Sequence, residues 1–447
     1  MQQEVDDISD GLPLFDKDKW IGKGQNFPMN LMDVPLGLIY YIDKLLIIPD
    51  EVKEEYIPSP NLSIDAFVTL KLPKLSYSLA IFKAQSCFRK ETPNIETATL
   101  KTRELPPIAW LNKLKEHFPQ AVLDNMTSVE DPRYPGSRVP LWWIGFWRKM
   151  HKIHEIQQGW KKAIQWVEEH VHKGGSNDTQ ELFREAEILL TKLRWDKHTN
   201  IPGADGVNTT TFAFAAYLSD SKMMNTDHVN MMFSHLSDRA EQDTMTDSFV
   251  VIEKLRFMNA IEKVSDAKDH DQPSQPFLRR LENKIKKKDV QALVFPVYMK
   301  KEKHWLTMRA DFEEKELSYG EFCSATIRMM LILSSCHEGD SLAHEGMPPP
   351  KVAIKQVQTW LKRRFGKEFK STGDSLAHGD QEDFTDCGIL MTNTAAHDMF
   401  DDTLWTYERK AIERANWFIR LSKAHIEDVR TSVSPFVLFL NVVLFPR

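Results

Sequence analysis

The chain has 447 residues, of which 42% are apolar and 27% charged, with a formal net charge of −6. That length exceeds one ordinary domain, and the composition is that of globular protein with apolar mass for a sizeable core. The mild negative charge gives no electrostatic ground for nucleic acid, and the basic run Lys284–Lys288 reads as a solvated helix face.

In chain order, the acidic, polar start Met1–Gly11 carries no secretory signature. Residues 1–135 form an N-terminal region of unknown role, with Pro-rich turns and short alternating runs such as Ala66–Leu70 that predict a few strands. Residues 136–202 are a Trp-rich helical segment and linker. Trp143, Trp147, Met150, Ile153, Gln157, Trp160, Ile164 and Val167 recur at three- and four-residue steps, which predicts a helix whose stripe is core or domain interface. His151, His154, His170 and His172 have no Cys or carboxylate in register and read as surface histidines. A Gly-Gly-Ser-Asn break at 174–177 caps a helix from about Thr179 to Trp195, and the polar loop Asn200–Thr211 is taken as the main boundary.

The second region, 203–447, begins with a helix near Asn225–Leu236, followed by a charged one at Phe277–Lys288. The period then changes. Val290–Met299 is a strand whose Pro296 marks an edge or bend, and Trp305–Phe312 with Glu316–Tyr319 make a hairpin. Helices follow after Pro350, at or just after Cys387, and from Leu404 to Ile426. Helices flanking a small central sheet give an α+β fold class. The longest apolar runs, Ile327–Leu333 and Phe436–Phe445, fall short of the ~20 residues that span a bilayer, so no membrane segment is expected. The four cysteines Cys87, Cys323, Cys336 and Cys387 have neither disulfide nor zinc spacing; no metal or cofactor is expected, and a reducing interior, nucleus or cytoplasm, fits best.

Chemistry concentrates around Cys387. A thiol attacks as thiolate, so its pKa must be pulled down from ~8.5 by an imidazolium or a helix N-terminus. Cys387 stands in Asp386-Cys387-Gly388 directly before an apolar helical run, and Gly388 lets a substrate carbonyl come close. His304, opening a strand beside Trp305, is the candidate base. Gln381 precedes the thiol by a loop able to fold its amide back toward a developing oxyanion, alongside the Cys387 N–H.

With His304-Trp305 on a strand, then Gln381, then Asp386-Cys387-Gly388, the region from about 203 to 430 resembles the ubiquitin-like-protein proteases, which include the SUMO-specific proteases. The resemblance implies a papain-like cysteine protease domain and hydrolysis of peptide or isopeptide bonds at the C-terminus of a ubiquitin-like modifier. Catalysis would rest on His304, Cys387, Gln381 and an acid, with Trp305 and Gly388 lining the substrate path. The acid has two candidates. Glu321 stands at the family's spacing from His304; if Glu321–Gly339 is an insertion, Tyr319-Gly320 abuts Asp340-Ser341-Leu342 and Asp340 takes that place. Codons around Gly320–Phe322 and Glu338-Gly339 can carry splice signals, so a retained intron or a gene-model error is expected there. Asp374, in a second Gly-Asp-Ser-Leu-Ala-His, is a third choice. The family's opening-segment Trp is replaced by Lys222-Met223-Met224-Asn225. A relative that binds a modifier without cutting it is the alternative function.

Overall fold

A computed structural model describes residues 16–23, 35–76, 84–173, 175–201, 204, 209–243, 250–266, 275–288, 290–320, 350–383 and 385–432. It divides into two compact units, residues 1–62 with 66–158, and residues 63–65 with 159–447.

In the first unit, helices α1 (Leu36–Lys44), α2 (Asp50–Tyr56) and α3 (Ile108–Leu123) accompany a small antiparallel sheet of β1 (Phe88–Arg89), β2 (Ser128–Glu130) and β3 (Arg138–Pro140). The expected strand at Ala66–Leu70 is instead part of a helical turn, Ile64–Val68. The reason is burial period: Ile64 and Phe67, three apart, are both fully buried, whereas Asp65 and Ala66 are exposed. Helix α4 (Trp142–His172), which belongs to this unit up to Gln158, bears out the Trp stripe as core. Trp143, Trp147, Met150 and Ile153 are all buried, and Trp143 meets Trp147 edge-on at 5.6 Å between rings. His172 is exposed, as the surface reading expects, but His151, His154 and His170 are half-buried and correct it. His151 Nε2 lies 2.6 Å from the Pro106 carbonyl and His154 Nε2 2.7 Å from that of Pro73, both rings half-buried. Each ring thereby pairs a backbone carbonyl packed against the helix.

In the second unit, α5 (Asn177–Lys192) starts at Ser176, whose hydroxyl accepts the Thr179 N–H. It is followed by α6 (Thr226–Gln242), α7 (Leu255–Asp266), α8 (Pro276–Lys288), α9 (Lys351–Phe365), α10 (Cys387–Phe400) and α11 (Lys410–Ser432). The sheet runs in the order β4 (Val250–Ile252), β5 (Ala292–Met299), β6 (His304–Asp311), β7 (Glu316–Gly320), β8 (Lys370–Asp374). The three central strands are antiparallel neighbours, and each outer strand joins in parallel. Pro296 lies just past the end of β4: Glu253 N–H reaches the Val294 carbonyl, and the next β5 donor on that side would have been Pro296 itself.

Alternation sorts β6. Leu306, Met308 and Ala310 enter a core shared with Phe257, Leu281 and Trp360 from α7, α8 and α9. Thr307 and Arg309 turn to α10, where Thr307 Oγ1 donates to the Met391 carbonyl (2.6 Å) and Arg309 pairs with Asp398 (2.8 Å). The second unit is therefore the expected α+β arrangement, a small sheet with helices against both faces. Among the described residues no helix is long and apolar enough to cross a membrane.

Candidate active site

Cys387 is the first residue of α10, as its sequence context predicts. The residue before it, Asp386, occupies the N-cap without capping: its carboxylate is turned away and bonded to Arg414 of α11 (Nε to Oδ1, 2.7 Å) and to Lys410 (3.0 Å). The loop ahead is shaped by Asp383, whose Oδ1 accepts the N–H groups of Thr385 (2.7 Å) and Asp386 (3.1 Å). Its other oxygen is paired with Lys410.

The backbone N–H groups of Trp305 and of Gly388 lie near enough to the thiol to favour its charged form. The start of this helix and the residue following His304 thus lie together: a Cβ added to Gly388 would stand 3.7 Å from Trp305 Cδ1. His304 opens β6, opposite Met299, and is 5% exposed. Trp305 is buried beside it, and its Nε1 donates to the Met224 carbonyl (3.1 Å). Met224 lies directly over Gly388: a Cβ added to that glycine would stand 2.6 Å from Met224 Cβ. Close backbone approach is what glycine supplies here, but the approaching group is the strap Lys222–Asn225. An open groove of about 540 Å³ lies beside Trp305, lined also by Tyr298, Met258, Leu255, Val352 and Lys301.

The covered position has an electrostatic consequence. Cys387 is 1% exposed, and burial, aided by the nearby Asp386 and Asp383 carboxylates, pushes its thiol up to about 11 despite the two N–H donors. The expectation that the helix start would lower it is corrected, because desolvation outweighs the two N–H groups. Burial likewise pushes the Asp386 carboxyl up to about 6, against the pull of Arg414. Burial alone would raise Asp383 too, but its hydrogen bonds with Asp386 and Lys410 and from the Thr385 N–H hold it well below the usual carboxylate range.

Gln381 is buried, and its amide nitrogen donates to the Asp383 carbonyl inside its own loop. Its Oε1 has no hydrogen-bond partner among the described residues. The amide expected to serve the oxyanion is thus engaged within its own loop. Asp340 and Glu321 both lie outside the described residues, as does the rest of Glu321–Gly339. Asp374 ends β8 and pairs with His378 (3.2 Å), whose imidazole it raises above the ordinary range. His378 borders Gly320, the last residue of β7. Among the described residues no three His, Cys, Asp or Glu side chains converge as a metal site.

Sequence reasoning misses Arg414. It is fully buried and occupies the stripe Arg414, Trp417, Phe418, Leu421, where only an apolar residue or a paired charge is tolerated. A lone Arg on such a stripe is a readable signal that a buried carboxylate waits elsewhere.

No family model matches the chain, and no curated protein sequence does. Solved structures similar to it include the SUMO protease Ulp1 with its catalytic cysteine oxidised to a sulfinic acid, at 13% identity and a TM-score of 0.36 over 54% of this chain and 95% of that one. Another is the C-terminal Ulp1 protease domain in complex with Smt3, the yeast ortholog of SUMO, at 13% identity and a TM-score of 0.35 over 54% and 93%. A likeness at that level assigns the chain neither to a family nor to an activity.

Proposed function

We propose that residues 203–447 form a thiol hydrolase that cleaves a peptide or isopeptide bond at the C-terminus of a ubiquitin-like modifier. What supports this reading is the closeness of Cys387-Gly388 to Trp305, the residue after His304: a Cβ on Gly388 would stand 3.7 Å from Trp305 Cδ1. In the reaction, His304 takes the thiol proton, and the sulfur attacks the carbonyl carbon to form a tetrahedral oxyanion. Backbone N–H groups at the start of α10, and Gln381 once its amide leaves Asp383, stabilise that charge. His304 returns the proton to the leaving amine, and water then hydrolyses the thioester to the free carboxylate. The carboxylate of Asp340 or Glu321 would fix the imidazole tautomer. For the modifier tail to reach the sulfur, Met224 has to lift from Gly388, and the apolar groove beside Trp305 is the approach that supports this.

A second reading has a specific observation in its favour. The thiol is buried, which pushes it up to about 11, and Met224 lies on the neighbouring Gly388; both suit a protein that binds a modifier without cutting it. A modifier–vinyl sulfone probe separates the two. The enzyme forms a covalent adduct that is lost in Cys387→Ala; equal labelling of the variant sinks the assignment. A chain that binds the modifier but forms no adduct is the binder.

A further inference from the structure

Beneath the loop that precedes the thiol, four charged side chains meet: Asp383 and Asp386 from the loop, Lys410 and Arg414 from α11. Asp386 and Arg414 have side chains 0% exposed, and Lys410 and Asp383 are 12% and 20% exposed. Two anions are matched by two cations. The same cations also hold the segment 216–222 that leads into the strap over Gly388. Arg414 donates to the carbonyls of Ala216 (3.1 Å) and Lys222 (2.9 Å), and Lys410 donates to that of Asp220 (3.1 Å). Thr385 Oγ1 donates to the Asp220 carbonyl as well, at 3.0 Å. The strap then leads to Met224 on Gly388. None of these contacts is needed to describe proton transfer between His304 and Cys387.

We propose that Lys410 and Arg414 are positioning residues for the Cys387 thiol, balancing the two carboxylates of the loop before it and fastening to the same point the segment 216–222 that leads to Met224 on Gly388. The inference deepens the reading of Cys387 as nucleophile and rests on it for its functional meaning. Its physics is that of a site largely shielded from water, where a charge on a neighbouring residue acts on the sulfur more strongly than it would across bulk solvent. An unmatched carboxylate there opposes thiolate formation, and a cation matching it removes that opposition. Other groups nearby do not supply the balance. His228 of α6 and Tyr217, both close enough to Arg414 to feel its charge, are kept neutral by burial. Asp220 and Lys222 are themselves exposed, and His304 stands at the head of β6 next to Trp305.

The test is the pH dependence of Cys387 alkylation by iodoacetamide in the full chain, read by mass spectrometry on the peptide that carries Cys387 so that the other cysteines do not enter. Lys410→Met leaves the carboxylates under-matched and moves the midpoint up by about half to one pH unit; Asp383→Asn moves it down by about as much. The double variant, which removes one charge of each sign, returns it close to the wild-type value. Opposite signs with cancellation are not what a merely structural role produces. Unmoved midpoints, shifts of the same sign, or a double variant that adds the two effects overturn the proposal. Should Lys410→Met fail to fold, Asp383→Asn, which keeps Oδ1 for the Thr385 and Asp386 N–H groups, must still lower the midpoint or the proposal fails. No substrate takes part, so a chain that shows these shifts yet forms no adduct with the modifier probe keeps the charge balance and loses the enzyme.

Discussion

Replacing Gly388 by alanine is a direct probe of the strap. The new Cβ would lie 2.6 Å from Met224 Cβ, 3.1 Å from Met224 Cγ and 3.7 Å from Trp305 Cδ1. Carbon atoms rest ~3.5–4.0 Å apart, so strap and helix must separate by about 1 Å. Met224 Cβ is no flexible tip. Its residue's carbonyl accepts Trp305 Nε1, and the next residue, Asn225, caps α6 by accepting the N–H groups of Asp227 (2.9 Å) and His228 (3.1 Å). Alanine gains at most ~1 kcal/mol of helix propensity over glycine, while overpacking costs about 1–3 kcal/mol. We expect a net loss of about 1–2 kcal/mol in urea unfolding followed by tryptophan fluorescence. The pairing with Met224 sharpens the test. Met224→Gly removes the opposing Cβ and Met224→Ala keeps it, so a double-mutant cycle with Gly388→Ala should show favourable coupling of about 1 kcal/mol for the glycine and little for the alanine. A Gly388→Ala chain more stable than the parent, or equal coupling with both Met224 variants, refutes the placement of the strap on the helix start.

Two further outcomes are expected. Burial, with Arg420 and Arg239 adding to it, pulls the His235 imidazole down from 6.5 to about 4. The unfolded chain therefore takes a proton that the folded chain refuses, and stability present above pH 6.5 falls by on the order of 2–3 kcal/mol as pH drops to 4. Chemical unfolding across that range should lose much of this slope in His235→Gln; an undiminished slope assigns it to other groups. Gln381→Ala should slow turnover of a modifier substrate by ~10²–10³ if its amide swings to the oxyanion, and unchanged turnover makes Gln381 a loop support for Asp383 alone.

What the sequence discloses follows what is local. The α4 stripe is legible because each Trp contributes to one face at helical period, and α10 is legible because Cys387-Gly388 opens a continuous apolar run. Strands β5 to β7 carry their own alternation and turn residues. By contrast β8, Lys-Ser-Thr-Gly-Asp, has no apolar face, and only pairing with β7 makes it a strand. The thiol's burial is equally non-local: Met224 reads as one residue of a polar stretch, and nothing in its neighbours announces that it lies on Gly388. The charge balance under the thiol joins α11 to a loop some thirty residues earlier, and only Arg414 on an apolar stripe hints at it.

Pro296 shows how a single tertiary amide can set the dimensions of a cleft. Because it has no hydrogen to offer, β4 has no further rung to climb after Glu253, and the chain must peel off the sheet there. The next free donor, the Leu255 N–H, is taken by the Asn230 side chain instead, which anchors the first turn of α7. Leu255, Met258, Asn259 and Glu262 of that helix form one wall of the hollow beside Trp305. A residue able to extend the ladder at 296 would carry β4 onward, delay the helix and move that wall, so the gauge of the approach to Cys387 is fixed by an atom that the proline lacks.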